Sequence, residues 1–273
     1  DWELPHTISG ISNTLFAYVF LANQLLEYNI SKGFIALITV AAGVAYLLPI
    51  LIFYSLKMMD RIRVFNIGRL ALTSTVLFTT AIPIRWEGYE AIIGWIIEMG
   101  LLMWLGTKIK KILLNYFALF LGGLTILFLW VESALAGLSK GWFFNLQTLS
   151  YLLLAGAFVM SGVLFNQLKG DRAKGSVIFC HIAWSMLLFI WLSIEVNLYF
   201  TVRNIVSSSL QFNLKQLVMS VVWLVYSLVL FGLGYIRKTQ LFRIIAMALF
   251  GVSILKIFLY DLWELGTLYR IGS

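Results

Sequence analysis

Charge is scarce in this chain: Asp, Glu, Lys and Arg make up 12% of its 273 residues. An ordinary soluble domain carries about twice that share, so the surface of a water-soluble fold is excluded. There is one cysteine, Cys180, which excludes an intrachain disulfide, a CxxC redox pair and a Cys-rich metal cluster. The two histidines, His6 and His181, stand too far apart to make a bis-His haem or a zinc site without acidic help, so no metal and no cofactor is expected. Gly232-Leu233-Gly234 lies inside an apolar run with no Gly-Lys-Ser/Thr after it, which removes the phosphate-binding loop, and no Gly-x-Ser-x-Gly elbow occurs. Proline is limited to three, and Pro49 and Pro83 fall inside long apolar runs where each favours a kink.

What is abundant is apolar surface. Hydrophobic residues make up 61% of the chain and aromatics 16%, and the mean hydropathy is +0.93. Crossing a bilayer as a helix takes about 20 apolar residues. Nine runs qualify: Ser9 to Glu27, Gly33 to Ser55, Val64 to Ile84, Tyr89 to Gly106, Ile112 to Leu138, Trp142 to Leu168, Ser176 to Phe200, Leu217 to Ile236 and Leu241 to Leu262. The expected fold is an all-α polytopic membrane bundle forming one transmembrane domain over 1–273. The first run is the weakest, being interrupted by Asn13, Thr14, Asn23 and Gln24.

Basic residues set an orientation. Lys57/Arg61/Arg63, Lys108/Lys110/Lys111, Lys169/Arg172/Lys174 and Arg237/Lys238/Arg243 occupy every second gap, twelve residues in all. The other gaps carry five: Lys32, Arg85, Lys140, Arg203 and Lys215. The positive-inside rule then puts the four clusters on the cytoplasmic side, facing anionic lipid headgroups, in what reads as a bacterial inner membrane. The net charge of +8 is accounted for by these loops, so nucleic acid is not an expected partner. Trp86, Trp142 and Trp263 near outer boundaries and Trp104 near an inner one read as interfacial anchors.

The chain also matches itself. At an offset of 128, Trp95, Gly106, Lys110, Leu113, Ala118, Leu121, Gly123, Ile126 and Leu127 meet identical residues at 223, 234, 238, 241, 246, 249, 251, 254 and 255. That offset covers an even number of spans, so the expectation is a parallel internal repeat, 79–130 and 207–258.

The stretch Gly94-Trp95-Ile96-Ile97-Glu98-Met99-Gly100-Leu101-Leu102-Met103-Trp104-Leu105-Gly106, and then Leu255-Lys256-Ile257-Phe258-Leu259-Tyr260-Asp261-Leu262 leading to Tyr269-Arg270-Ile271, resembles a bacterial family of predicted membrane proteins, domain of unknown function 2339. The resemblance rests on a W-x-x-E before W-L-G and on K-x-x-x-x-D followed by an R-I pair, within residues 64–130 and 217–273. It implies a long helical array behind a cytoplasmic segment with coiled-coil character, and no particular activity. The family's array is longer than nine spans, and this chain starts without methionine and stops where the family's last helix opens. A C-terminal part of a longer protein is therefore expected.

An ionisable side chain within a span costs about 2.5–3.5 kcal/mol on insertion scales and so points to function. Glu98, halfway along its run, is either a proton or cation carrier site or a buried acid held by an arginine or tyrosine. Lys256, Asp261, Glu132 and Glu195 lie toward outer boundaries, where they either line a wet vestibule or form interhelical ion pairs. Arg69 lies a turn inside the third run and is expected to snorkel to the cytoplasmic surface. Three functions stay open: a transport or translocation component of the cell envelope, a non-catalytic scaffold or assembly subunit with membrane-protein partners, and an enzyme acting on envelope glycans or lipids. The longest outer loop, Thr201 to Gln216, carries no carboxylate, which weakens the third.

Overall fold

Apolar runs that would leave backbone groups unpaired in lipid must satisfy them internally. In the computed structural model every regular element among the described residues, 31–55, 64–109, 112–135, 145–167, 171–202 and 209–261, is accordingly helical. The helices are α1 Lys32–Ser55, α2 Val64–Arg85, α3 Tyr89–Ile109, α4 Ile112–Leu135, α5 Leu146–Gln167, α6 Asp171–Val202, α7 Ser209–Ile236 and α8 Gln240–Lys256. A π-helical turn, Ile257–Asp261, follows α8 directly. The expected run at Ser9 to Glu27 lies outside the described residues.

Among the described residues seven helices are long and apolar enough to cross a membrane, and α2 adds the apolar stretch Leu70–Arg85. This stretch carries Thr73, Ser74, Thr75, Thr79 and Thr80. Most of these hydroxyls turn inward on the helix: Thr75, Thr79 and Thr80 each donate to the carbonyl four residues back, at 2.8, 2.9 and 3.0 Å. The loop expected over Thr201 to Gln216 is shorter than that, because α7 already begins at Ser209. Leu210, Leu214 and Leu217 repeat at helical spacing among Gln211, Asn213 and Lys215, so the segment continues the helix as an amphipathic turn.

The chain forms two compact units. One contains α1 to α4 as far as Glu132, together with Met160–Ala173; the other contains Ser133–Val159 and the chain from Lys174 onward. In the first, α1 packs along α2 and α2 along α3. The Ser74 hydroxyl donates to the Gly43 carbonyl at 2.7 Å across the α1–α2 seam. In the second, α7 packs along α8. Tyr226, Leu230, Ala246 and Leu249 form a core there, against which Trp184, Leu188, Phe189 and Leu192 of α6 rest.

The α3–α4 and α7–α8 hairpins share a burial pattern. Among described side chains α7 buries Ser220, Tyr226, Ser227, Leu230 and Gly234; 128 positions earlier α3 buries Ile92, Glu98, Met99, Leu102 and Gly106. Helix α8 buries Phe242, Ala246, Leu249 and Ser253, and α4 buries Leu114, Ala118, Leu121 and Thr125. The two hydroxyls make the same bond, Thr125 to the Leu121 carbonyl and Ser253 to the Leu249 carbonyl, both at 2.8 Å. Each hairpin also narrows at a glycine: a Cβ on Gly106 would run into Asn115 and Leu114, and one on Gly234 into Arg243 and Phe242. Only glycine lets the two helices of either hairpin close to that distance.

Candidate functional site

Pro83, inside α2, has no N–H to give to the carbonyl of Thr79 four residues earlier. Trp95 of α3 takes that place, its indole Nε1 donating to the Thr79 carbonyl oxygen at 2.9 Å. The ring is buried and meets Phe128 of α4 edge-on, centroids 4.7 Å apart. Three residues on, and so on the same face of α3, stands Glu98. Its Oε1 accepts from the Thr79 hydroxyl at 2.8 Å. Both ends of the Trp95-x-x-Glu98 motif thus grip one residue of α2, its carbonyl and its hydroxyl.

The grip on Glu98 is incomplete. The Thr79 hydroxyl has one proton, and the Thr75 carbonyl lies 2.9 Å away as a competing acceptor. The other carboxyl oxygen, Oε2, has no hydrogen-bond partner among the described residues although the residue is only 8% exposed. An interhelical hydrogen bond within a membrane contributes about 0.6 kcal/mol on average, well short of the roughly 2.5–3.5 kcal/mol that placing the acid there costs. Among the described residues the hydrogen-bond partner of Glu98 is Thr79, not an arginine or a tyrosine.

Glu98 also faces a cavity of about 650 Å³. Helix α2 forms its floor through Ala71, Ser74, Thr75, Phe78, Ala81 and Ile82, with α1 on one wall and α3 on the other. Leu37 and Val40 on α1 and Ile97 and Leu101 on α3 line it yet are exposed, so the space opens sideways as a groove between the two helices. Arg85 and Trp86 stand at one end. Volume and lining are those of a site for an apolar or amphiphilic molecule.

The other candidates fall elsewhere. Glu195 of α6 is buried, its Oε1 accepting from the Thr148 hydroxyl and from the Trp191 indole, while Oε2 has no partner. Lys256 ends α8 and donates to the Gln216 carbonyl at 3.2 Å and the Ser220 hydroxyl at 2.7 Å, with its ammonium 5.8 Å from the centre of the Trp223 ring. Glu132 rests its carboxylate over Gly88, whose φ of 59° forms the α2–α3 turn and suits glycine. Arg69 lies in the first turns of α2 and Asp261 in the π-helical turn, and their side chains lie outside the described residues. An ion pair joins Lys32 and Glu87 at 3.5 Å on the surface. The residue that sequence reasoning missed is Thr79; a proline four residues after a threonine inside a span is the signal that points to it.

A family model described as "Predicted membrane protein (DUF2339)" matches residues 16–273, a wider stretch than the two segments that carry the sequence resemblance. No curated protein and no solved structure matches the chain.

Proposed function

We propose, for a chain that belongs to the DUF2339 family of predicted membrane proteins, that this integral membrane protein is a transport or translocation component and that Glu98 stands in the path. One observation carries the reading: a buried carboxyl with an unpartnered oxygen lines an apolar groove that opens between two helices. Glu195 also leaves one oxygen unpartnered but does not line this groove, so what marks Glu98 is an uncompensated carboxyl together with the open space beside it. The orientation with the four basic clusters toward the cytoplasm, and a place in the inner membrane of the cell envelope, belong to the same proposal and rest on the charge asymmetry of the gaps.

A parallel duplication of 79–130 in 207–258 is likewise proposed. It is supported by the shared burial positions, the paired hydroxyl bonds and the paired glycine contacts of the two hairpins.

A scaffold role is favoured by one different observation: in the second unit Lys256 is hydrogen-bonded to α7, as glue between helices would be. Substitution at 98 separates the two. Glu98→Gln keeps an acceptor for Thr79 and removes the ionisable group. On the transport reading it fails to repair the defect of a strain lacking the chain, while its amount in the membrane and its thermal unfolding match wild type. Full repair by Glu98→Gln, with Glu98→Ala impaired only through lost stability, would favour the scaffold.

A further inference from the structure

We infer that the groove of the first unit holds an anionic phospholipid, its acyl chain lying between α1 and α3 and its headgroup at Arg85 and Trp86. The inference rests on the reading of the groove as a path and names what occupies it. From Gly33 to Leu47 the lining of α1 covers about 21 Å of helix, somewhat more than the roughly 15 Å depth of one leaflet's hydrocarbon. A chain therefore fits lengthwise, entering sideways past the exposed Leu37, Val40, Ile97 and Leu101.

Charge at the end of the groove selects the head. Arg85 is exposed at the C-terminus of α2 and is the cation that lines the cavity; of the nearby acids, Glu87 is paired with Lys32 and Glu132 lies on the Gly88 turn. Glu90, in the first turn of α3, is exposed and is not part of the lining. Trp86, 43% exposed, supplies the amphipathic ring that sits well at headgroup level. Below that mouth the ionisable residue in the lining is Glu98, about 14 Å along α3 from Tyr89.

The test uses the full chain in nanodiscs of zwitterionic lipid doped with phosphatidylglycerol that carries a diazirine on its acyl chain. After illumination, peptide mapping should place adducts on Leu37, Val40, Ile97 and Leu101 several-fold above Leu228 of α7, which is at least about as exposed as any of them. Arg85→Gln, on the surface and so expected to fold, should lower groove labelling by about fivefold, the weight of one cation beside an anionic head. Val40→Trp should bring Ile97 and Leu101 down to the level of Leu228. Even labelling over all exposed positions, or labelling that Arg85→Gln leaves unchanged, overturns the inference. If labelling fails while Glu98→Gln still fails to repair the deletion strain, the lipid is wrong and the transport reading stands. If groove labelling holds and Glu98→Gln repairs fully, the lipid site stands and the transport reading falls.

Discussion

The two hairpins use one frame and fill it differently. In each, a tryptophan and the residue three positions later reach back to the preceding helix. Trp95 and Glu98 meet the carbonyl and hydroxyl of Thr79; Trp223 donates to the Ser193 hydroxyl at 3.0 Å, and Tyr226 donates to the Ser185 carbonyl at 2.6 Å. The tyrosine spends its one proton on that bond and is closed. The glutamate at the matching position has a buried oxygen left over, and its side chain is part of the lining of a groove. Beside the tryptophan the pattern reverses, with Phe128 packed on Trp95 and Lys256 set over Trp223. On the proposed duplication, a neutral side chain suffices at this point of the frame, and the acid in the first hairpin calls for a reason other than folding.

Six substitutions bear on that contrast. Trp95→Ala should be the most damaging, on the order of 3 kcal/mol, because it empties a buried site and leaves the Thr79 carbonyl without its donor. Trp223→Ala should cost clearly less, since that ring is only partly buried; thermal unfolding in detergent compares the two. Gly106→Val and Gly234→Val should each destabilise by about 1–3 kcal/mol and to a similar degree, because each pushes a side chain into the facing helix of its hairpin. A large inequality would break the equivalence of the frames. Lys256→Met should cost on the order of 1 kcal/mol through the lost bonds to Gln216 and Ser220. Tyr226→Phe should be the mildest, about 0.6 kcal/mol for one interhelical hydrogen bond.

The helices were legible because lipid imposes a single rule on the backbone, and runs such as Ile112 to Leu138 have no alternative to a helix. Helix α2 was equally legible in position, while the hydrogen bonds that accommodate its threonines were not. Glu98 stood out as an acid in the middle of a span. Its partner did not, because the link passes through a bond that Pro83 fails to make, which no pairing of opposite charges suggests. The groove was invisible for a simpler reason: Leu37, Val40, Ile97 and Leu101 are the same residue types that face lipid everywhere else. Lys256 was read as a candidate lining group, and the hydrogen bonds that hold it come from a carbonyl and a serine that composition does not single out.

The most direct test places one cysteine at 98 or at 226 in a Cys180→Ser background, in sealed vesicles of either orientation, and treats them with a membrane-impermeant thiol reagent. A path at Glu98 predicts that Cys at 98 is modified from at least one side while Cys at 226, at the same point of a closed frame, stays protected. Protection of both, with the two proteins present in normal amounts, would contradict the account and make Glu98 a buried structural group.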